Sequence, residues 1–414
     1  MNNASSKQRV LLNPRTKIIM SGLFASIMLI AGCDQQSTPE STPDTSTADK
    51  TGNTTVADQR GSPDQLESAK SSVNIVNDWI NNAIISAAKE IETLSNAGDA
   101  FYNTPSEQTL EQLKNAWVNA HTEFSKTAPV FSLAHASPDL FYSLRQWQNL
   151  LDAHPVQPGY LDSFDVYTHS GIVNDTLLSI NAETIRNQHQ LTHSDEIALG
   201  FHAIEFLVWG ENSNRDLNLF IAEGNDSSAA EKPENRRREL IRLLSLLLLD
   251  DFQLLQSQWQ KSTQQQLSRL SPLSQAQLWK QAITHFWQEY SVKQIANNDD
   301  DIHNPFSGQS FDEFLAMNAN TLQGILSLSA THDTSLYSQA TTKKLSELIT
   351  EFQTVILPAS TTETTSSTQL DSSTDEVPEE NKNEEVLADS ADSTLQGQRE
   401  KLSQDIYRLL NTGV

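Results

Sequence analysis

The stretch "ELIRLLSLLLLDDFQLLQSQW", residues 239–259, limits the fold more than any other. Its leucine run is long enough for a core helix. Asp250 and Asp251 interrupt it before it reaches the roughly 20 apolar residues that a membrane span needs. The predicted helix starts near Glu234, and the pattern on either side of it is also helical. "TPSEQTLEQLKNAWVNAHTEF" opens with Thr104, Pro105 and Glu107, the form of a capping box with proline in the first turn. "SPDLFYSLRQWQNLLD" starts in the same way at Ser137 and Pro138. "SPLSQAQLWKQAITHFWQEY" and "SFDEFLAMNANTLQGILSLS" each begin at a serine. "REKLSQDIYRLL" closes the chain with Leu402, Ile406 and Leu409 at helical spacing. No run of alternating strands bounded by hairpin turns is found. The expectation is an all-α protein of about eight to ten helices, too many for one four-helix bundle. Roughly 300 foldable residues call for two packed helical bundles. No short repeat suggests a solenoid.

The ends of the chain carry another kind of information. Residues 1–32 form a leader with Lys7, Arg9, Arg15 and Lys17, no acidic residue, and an apolar run from Ile18 to Ile30. It finishes in "LIAGC", which resembles a bacterial lipobox, and Cys33 is the single cysteine of 414 residues. Cys33 is therefore expected to carry lipid, in a lipid-anchored, periplasm-facing protein of the bacterial cell envelope. Asp34 directly after it resembles an inner-membrane retention signal. Residues 33–65 are Ser-, Thr-, Asp- and Pro-rich and are expected to be a disordered tether. Residues 66–358 are expected to hold the helical domain, 359–395 an acidic low-complexity insertion, and 396–412 its closing helix. The net charge of −25 becomes −29 once the four leader cations are removed. Such a chain offers no basic surface for nucleic acid, and its membrane contact is expected to be the lipid alone.

"GFHAIEFLVWG", residues 200–210, places a histidine and a glutamate in a segment with no wet face. A helix that is apolar all round is normally buried, and a carboxylate there is costly unless it is paired or binds a metal. His202 and Glu205 stand three residues apart, about 60° from each other on a helix, so both could reach one ion. The pair is no complete zinc site. The zincin pattern needs a second histidine, and Phe206 occupies the position that the inverted pattern would need. Further ligands must come from other helices. The alternative is a buried polar network without metal.

"GFHAIEFLVWGE" resembles the G-x-H-x-x-E signature of imelysin-like proteins. "HPVQPGYLDSF", "SGIVND", "RRRELIRLLSLLLLDDFQLLQSQW" and "NPFSGQSFDEFLAMNANTLQGI" resemble segments found in the same order in that family. The resemblance covers roughly residues 66–358 and the last helix. It implies two helical bundles, with the signature helix near the cleft between them, and an envelope location. It also implies either metal-dependent peptide hydrolysis, as described for founding members, or a part in iron uptake, as in iron-regulated relatives. The sequence departs from peptidase-type members in lacking a clear G-x-x-S…E-R segment.

Two readings of function follow, with iron or zinc as the metal. In the first, a transition metal, iron before zinc, binds at His202 and Glu205 for uptake or sensing. In the second, the protein is a metallopeptidase in which Glu205 serves as general base. A third keeps the pair structural, in an interaction module held on a tether. Asp162, Asp175 and His303 are secondary ligand candidates. Tyr160, Asp162 and Asp175 stand in loop-like, helix-starting contexts where such residues more often cap than ligate, and His303 follows three aspartates in a loop. His285 and Glu289 read as an ordinary i, i+4 pair, and His121 as a core residue beside Trp117. Gly200 reads as a position for close helix packing. No hydrolase elbow, P-loop or dinucleotide fingerprint is present.

Overall fold

The structure, a computed structural model, describes residues 61–211, 213, 215–222, 231–297, 307, 310–330, 336–357 and 381–412. Among these residues every regular element is helical, as expected of an all-α chain; the one extended pairing is an isolated bridge between Phe164 and Tyr167. The longest helix is α1 (Pro63–Asn103). Ser62 starts it, accepting the Gln65 N–H while the Gln65 side chain accepts the Ser62 N–H. Val73, Val76, Ile80, Ile84, Ala87, Ile91, Leu94 and Phe101 are buried along it. Their spacing of three and four residues makes one continuous apolar stripe.

Helix α2 (Glu107–Ser125) folds back on α1, followed by α3 (Ala128–Ala136) and α4 (Pro138–Leu151). After a long, largely irregular segment containing α5 (Ala182–Gln188) come α6 (Phe201–Trp209) and α7 (Pro233–Gln258). A π-turn at Trp259–Thr263 leads into α8 (Gln264–Ser268). Then α9 (Pro272–Trp287) passes through a second π-turn, Gln288–Val292, into α10 (Lys293–Asn297). Helices α11 (Phe311–Ala330), α12 (Gln339–Ile356) and α13 (Asn381–Thr412) complete the fold. Two groups of helices share α1. One is α2, α6 and α7; the other is α3, α4, α9, α11, α12 and α13, with α9 and α11 reaching α1. The described residues form one compact unit.

Three sequence expectations shift in detail. Helix α2 is capped by Ser106, whose hydroxyl accepts the Thr109 N–H while Thr109 Oγ1 accepts the Ser106 N–H. Thr104 instead ends α1. The last three residues assigned to the tether, 63–65, are already helix, and α13 begins at Asn381 rather than at 396. The leader, Cys33, Asp34 and His303 lie outside the described residues. Among the described residues no helix is long and apolar enough to cross a membrane.

The irregular segment between α4 and α6 is held by arginines. Arg236 of α7 donates to the carbonyls of Ile172, Val173, Asp175 and Leu178. Buried Asp162 receives Arg237 Nε at 2.5 Å and Arg215 Nη1 at 2.6 Å. Arg186 of α5 forms a two-pronged pair with Asp251 at 2.8 and 2.9 Å, which explains how that aspartate can interrupt the leucine run and still be buried. The segment's far end is fixed by Gly200, which precedes α6 with φ +88° and ψ −174°, a conformation essentially confined to glycine. A Cβ there would lie 2.5 Å from the Leu151 carbonyl oxygen and 2.9 Å from that of Leu150. Gly200→Ala is therefore expected to cost about 1–3 kcal/mol from backbone strain alone. The clash adds to this, and the melting temperature measured by circular dichroism should fall. An unchanged melting temperature would show that the end of α4 does not bear on Gly200.

Candidate metal centre

Helix α6 is buried on all sides, as its composition requires, and Glu205 is fully buried within it. The helix leans on α2 through the Trp117 indole N–H, which donates to the Phe201 carbonyl at 2.9 Å. His202 and Glu205 meet directly: Glu205 Oε2 is 2.8 Å from His202 Nδ1. Glu205 Oε1 accepts the Ser307 N–H at 2.9 Å, so both carboxylate oxygens are engaged.

The other ring nitrogen, Nε2 of His202, lies 3.3 Å from Asp152 Oδ1. His121 Nε2 lies 3.3 Å from the same oxygen. One ligand atom from each of His121, Asp152 and His202 can thus be chosen so that all lie within 4.8 Å of one another. Asp152 ends α4 one residue after the carbonyls that press on Gly200, and His202 follows Gly200 by two residues. The close approach of Gly200 to α4 is what brings the carboxylate and the imidazole together. His121 arrives from α2, stacked on Trp117 with ring centroids 4.8 Å apart. His154 adds an edge contact to His202 at 5.3 Å. The group lines a cavity of about 710 Å³, to which Tyr290 also contributes.

Burial works against a charged His202, but its hydrogen bonds and charge contacts with Asp152 and Glu205 outweigh it, lifting the imidazole to about 10. Asp152 is likewise opposed by burial and held well below the usual carboxylate range by His121 and His202. Burial also opposes the Glu205 charge, and His202 with the Ser307 backbone keeps it lowered. Without metal, His202 is an imidazolium between two carboxylates. Two imidazole nitrogens and one carboxylate oxygen form a donor set suited to iron or zinc. Glu205 stands behind His202, where a carboxylate would orient the ring if it held a metal. His121 lacks such support: its Nδ1 is buried without a hydrogen-bond partner among the described residues. These residues fit a transition metal, and binding one would require His202 to give up its extra proton.

The sequence candidates separate accordingly. His202 and Glu205 are in contact, but Glu205 faces Nδ1 and Asp152 faces Nε2, so Glu205 backs the histidine rather than sharing the nitrogen that faces Asp152. Asp162 is committed to Arg215 and Arg237, and their charges hold it ionised against burial. Asp175 accepts the Leu177 N–H in a turn, and Tyr160 donates to the Gln188 carbonyl. His285 and Glu289 lie 3.6 Å apart. His121 is packed in the core as expected and also belongs to the ligand group. Asp152 went unnoticed in the sequence. Its one signal was a carboxylate at a helix C-terminus, where the helix dipole disfavours it.

The raised His202 value gives a pH dependence with a definite sign. Its contribution to stability is fully present below its ordinary value of 6.5 and is lost as pH rises through about 10. The lowered carboxylates act oppositely, losing their contribution in acid. Metal-free protein is expected to lose melting temperature between pH 6.5 and 10 more steeply than its His202→Gln variant. Parallel pH profiles for the two would show that His202 is not held as an imidazolium.

No curated protein matches the chain. The crystal structure of an iron-regulated protein A precursor from Parabacteroides distasonis ATCC 8503 superposes with a TM-score of 0.52 at 12% identity. The alignment covers 86% of this chain and 96% of that one, which shows a shared fold. The peptidase M75 family model, described as imelysin, matches residues 84–402, a span that includes His121, Asp152, His202 and Glu205. With most of its length so matched, the chain belongs to the imelysin family.

Proposed function

We propose that this protein binds a transition metal at His121, Asp152 and His202, with iron as its first cargo and zinc as the next best fit. Glu205 orients His202. The role is uptake or sensing of the metal at the cell envelope. The observation that carries this reading is the convergence of two imidazole nitrogens on one carboxylate oxygen at the wall of a cavity. The iron-regulated description of the fold neighbour is consistent with it. Metal titration of the purified protein is expected to give a Kd below micromolar. His202→Ala should abolish binding, and Glu205→Gln should weaken it about 10–100-fold, the usual range for a lost ring-orienting partner. If iron, zinc and copper all bind no better than micromolar and His202→Ala changes nothing, the reading fails.

A metal-dependent peptidase is the second reading, favoured by one observation: three protein ligands leave a position open, as catalytic metal sites do. When bound, the metal would polarise a peptide carbonyl or activate water. Against Glu205 as the general base stands its double engagement by His202 and the Ser307 N–H. Chelator-sensitive peptide cleavage lost in Glu205→Gln would favour the peptidase; full activity in that variant would remove it.

The envelope location rests on the leader and on Cys33 as the lipid-bearing residue. A tether of some thirty residues has a root-mean-square span of roughly 30 Å, enough to hold the helical body clear of the headgroups. Several acyl chains on one cysteine give stable attachment where one would be marginal. Cys33→Ser is expected to stop lipid modification and release the protein from washed membranes. Quantitative retention after a high-salt wash would show that the lipid is not the anchor.

A further inference from the structure

The cavity beside the metal ligands is much larger than an ion requires. At about 710 Å³ it falls in the range of small-molecule sites, while one water occupies about 30 Å³ of liquid. Its wall changes character along its length. At one end stand Asp152, His202 and buried Glu205. Elsewhere it is lined by Arg145, His135 and His285. Arg145 and His135 are exposed, so this part is the mouth.

The mouth is suited to an anion. Arg145 has no ion-pair partner among the described residues. Glu289, on the same wall, is paired with Lys293 at 2.5 Å; Asp195 also lines the cavity, and Arg145 is the one arginine among its described lining residues. His135 and His285 stack with ring centroids 3.8 Å apart. Burial, then the Arg145 charge, lowers His135; burial, then the neighbouring His135, lowers His285 to about 4. Both rings are therefore neutral near pH 7 and do not repel each other; the two nitrogens of His285 face Ser132 Oγ at 3.3 Å and Glu289 at 3.6 Å. Tyr290, on the π-turn after α9, also lines the cavity. Its hydroxyl accepts from the Gln148 side chain, and burial keeps it protonated, so its own proton remains to be donated.

We propose that the cavity takes its metal as a complex with a small polycarboxylate. Arg145 and the Tyr290 hydroxyl hold the organic anion, and His121, Asp152 and His202 hold the ion. This rests on the metal-binding reading above and names the form of its cargo. A metal held by three protein groups keeps positions open for the oxygens of such an anion. A carboxylate directed to the mouth meets the planar donor fork of an arginine.

Equilibrium dialysis of the full chain with labelled citrate separates the two claims. The arms are citrate alone, Zn²⁺ or Fe³⁺ with citrate, and Zn²⁺ alone. Wild-type protein should retain citrate together with metal, one to one, and retain little citrate without metal. Arg145→Ala should weaken citrate retention about tenfold, with Arg145→Lys partly restoring it, while Zn²⁺ alone is retained as by wild type. His202→Ala should abolish retention of both. If Zn²⁺ is retained but citrate merely strips it from the protein, the chelate proposal is overturned and metal binding stands. Equal citrate retention by wild type and Arg145→Ala also overturns it. If no metal is retained in any arm, the metal-binding reading falls and the chelate proposal with it.

Discussion

The contact on which the site depends is between backbones: the Cα of Gly200 lies against the last carbonyls of α4. Those carbonyls belong to a helix end, where the helix itself supplies no partner. A side chain at position 200 would push α6 away from α4 and separate His202 from Asp152. The glycine of the G-x-H-x-x-E pattern thus does no chemistry, yet it sets the geometry that the histidine uses.

The nearly fifty residues between those two contact points contain little regular structure, and a loop of that length is costly to order. Its order comes from α7, where Arg236 gathers four carbonyls and Arg237 joins Arg215 on Asp162. A strongly acidic chain has placed several of its few cations inside, where they act on backbone and on one buried carboxylate. Removing Asp162 would leave Arg215 and Arg237 as buried charges without their shared carboxylate, a loss that typically costs about 3–5 kcal/mol.

Much of the fold was legible because helix starts are local. Serines 137, 271 and 310 sit at the beginnings of helices as the sequence suggests, and Asp250 and Asp251 mark α7 as a core helix. Capping was misjudged at α2, where Thr104 and Ser106 both qualify by residue type and only the reciprocal bond to Thr109 decides. In the site, the His202–Glu205 pair was legible because it lies within one helical turn. Asp152 and His121 were not, since they are 31 residues apart and come from different helices. His121 looked like a core residue because it is one; that it also faces Asp152 is a tertiary fact with no local signature. Asp162 looked like a ligand candidate because nothing nearby in sequence reveals Arg215 and Arg237.

Helix α1 has a consequence for the molecule as a mechanical and evolutionary object. Its 41 residues span about 60 Å, and both groups of helices take their core from its single apolar stripe. Neither group can be excised with a complete core, because each would lose a wall to the other. The two halves therefore share one fate. They cannot be exchanged as modules, and a lesion anywhere along that stripe is felt in both.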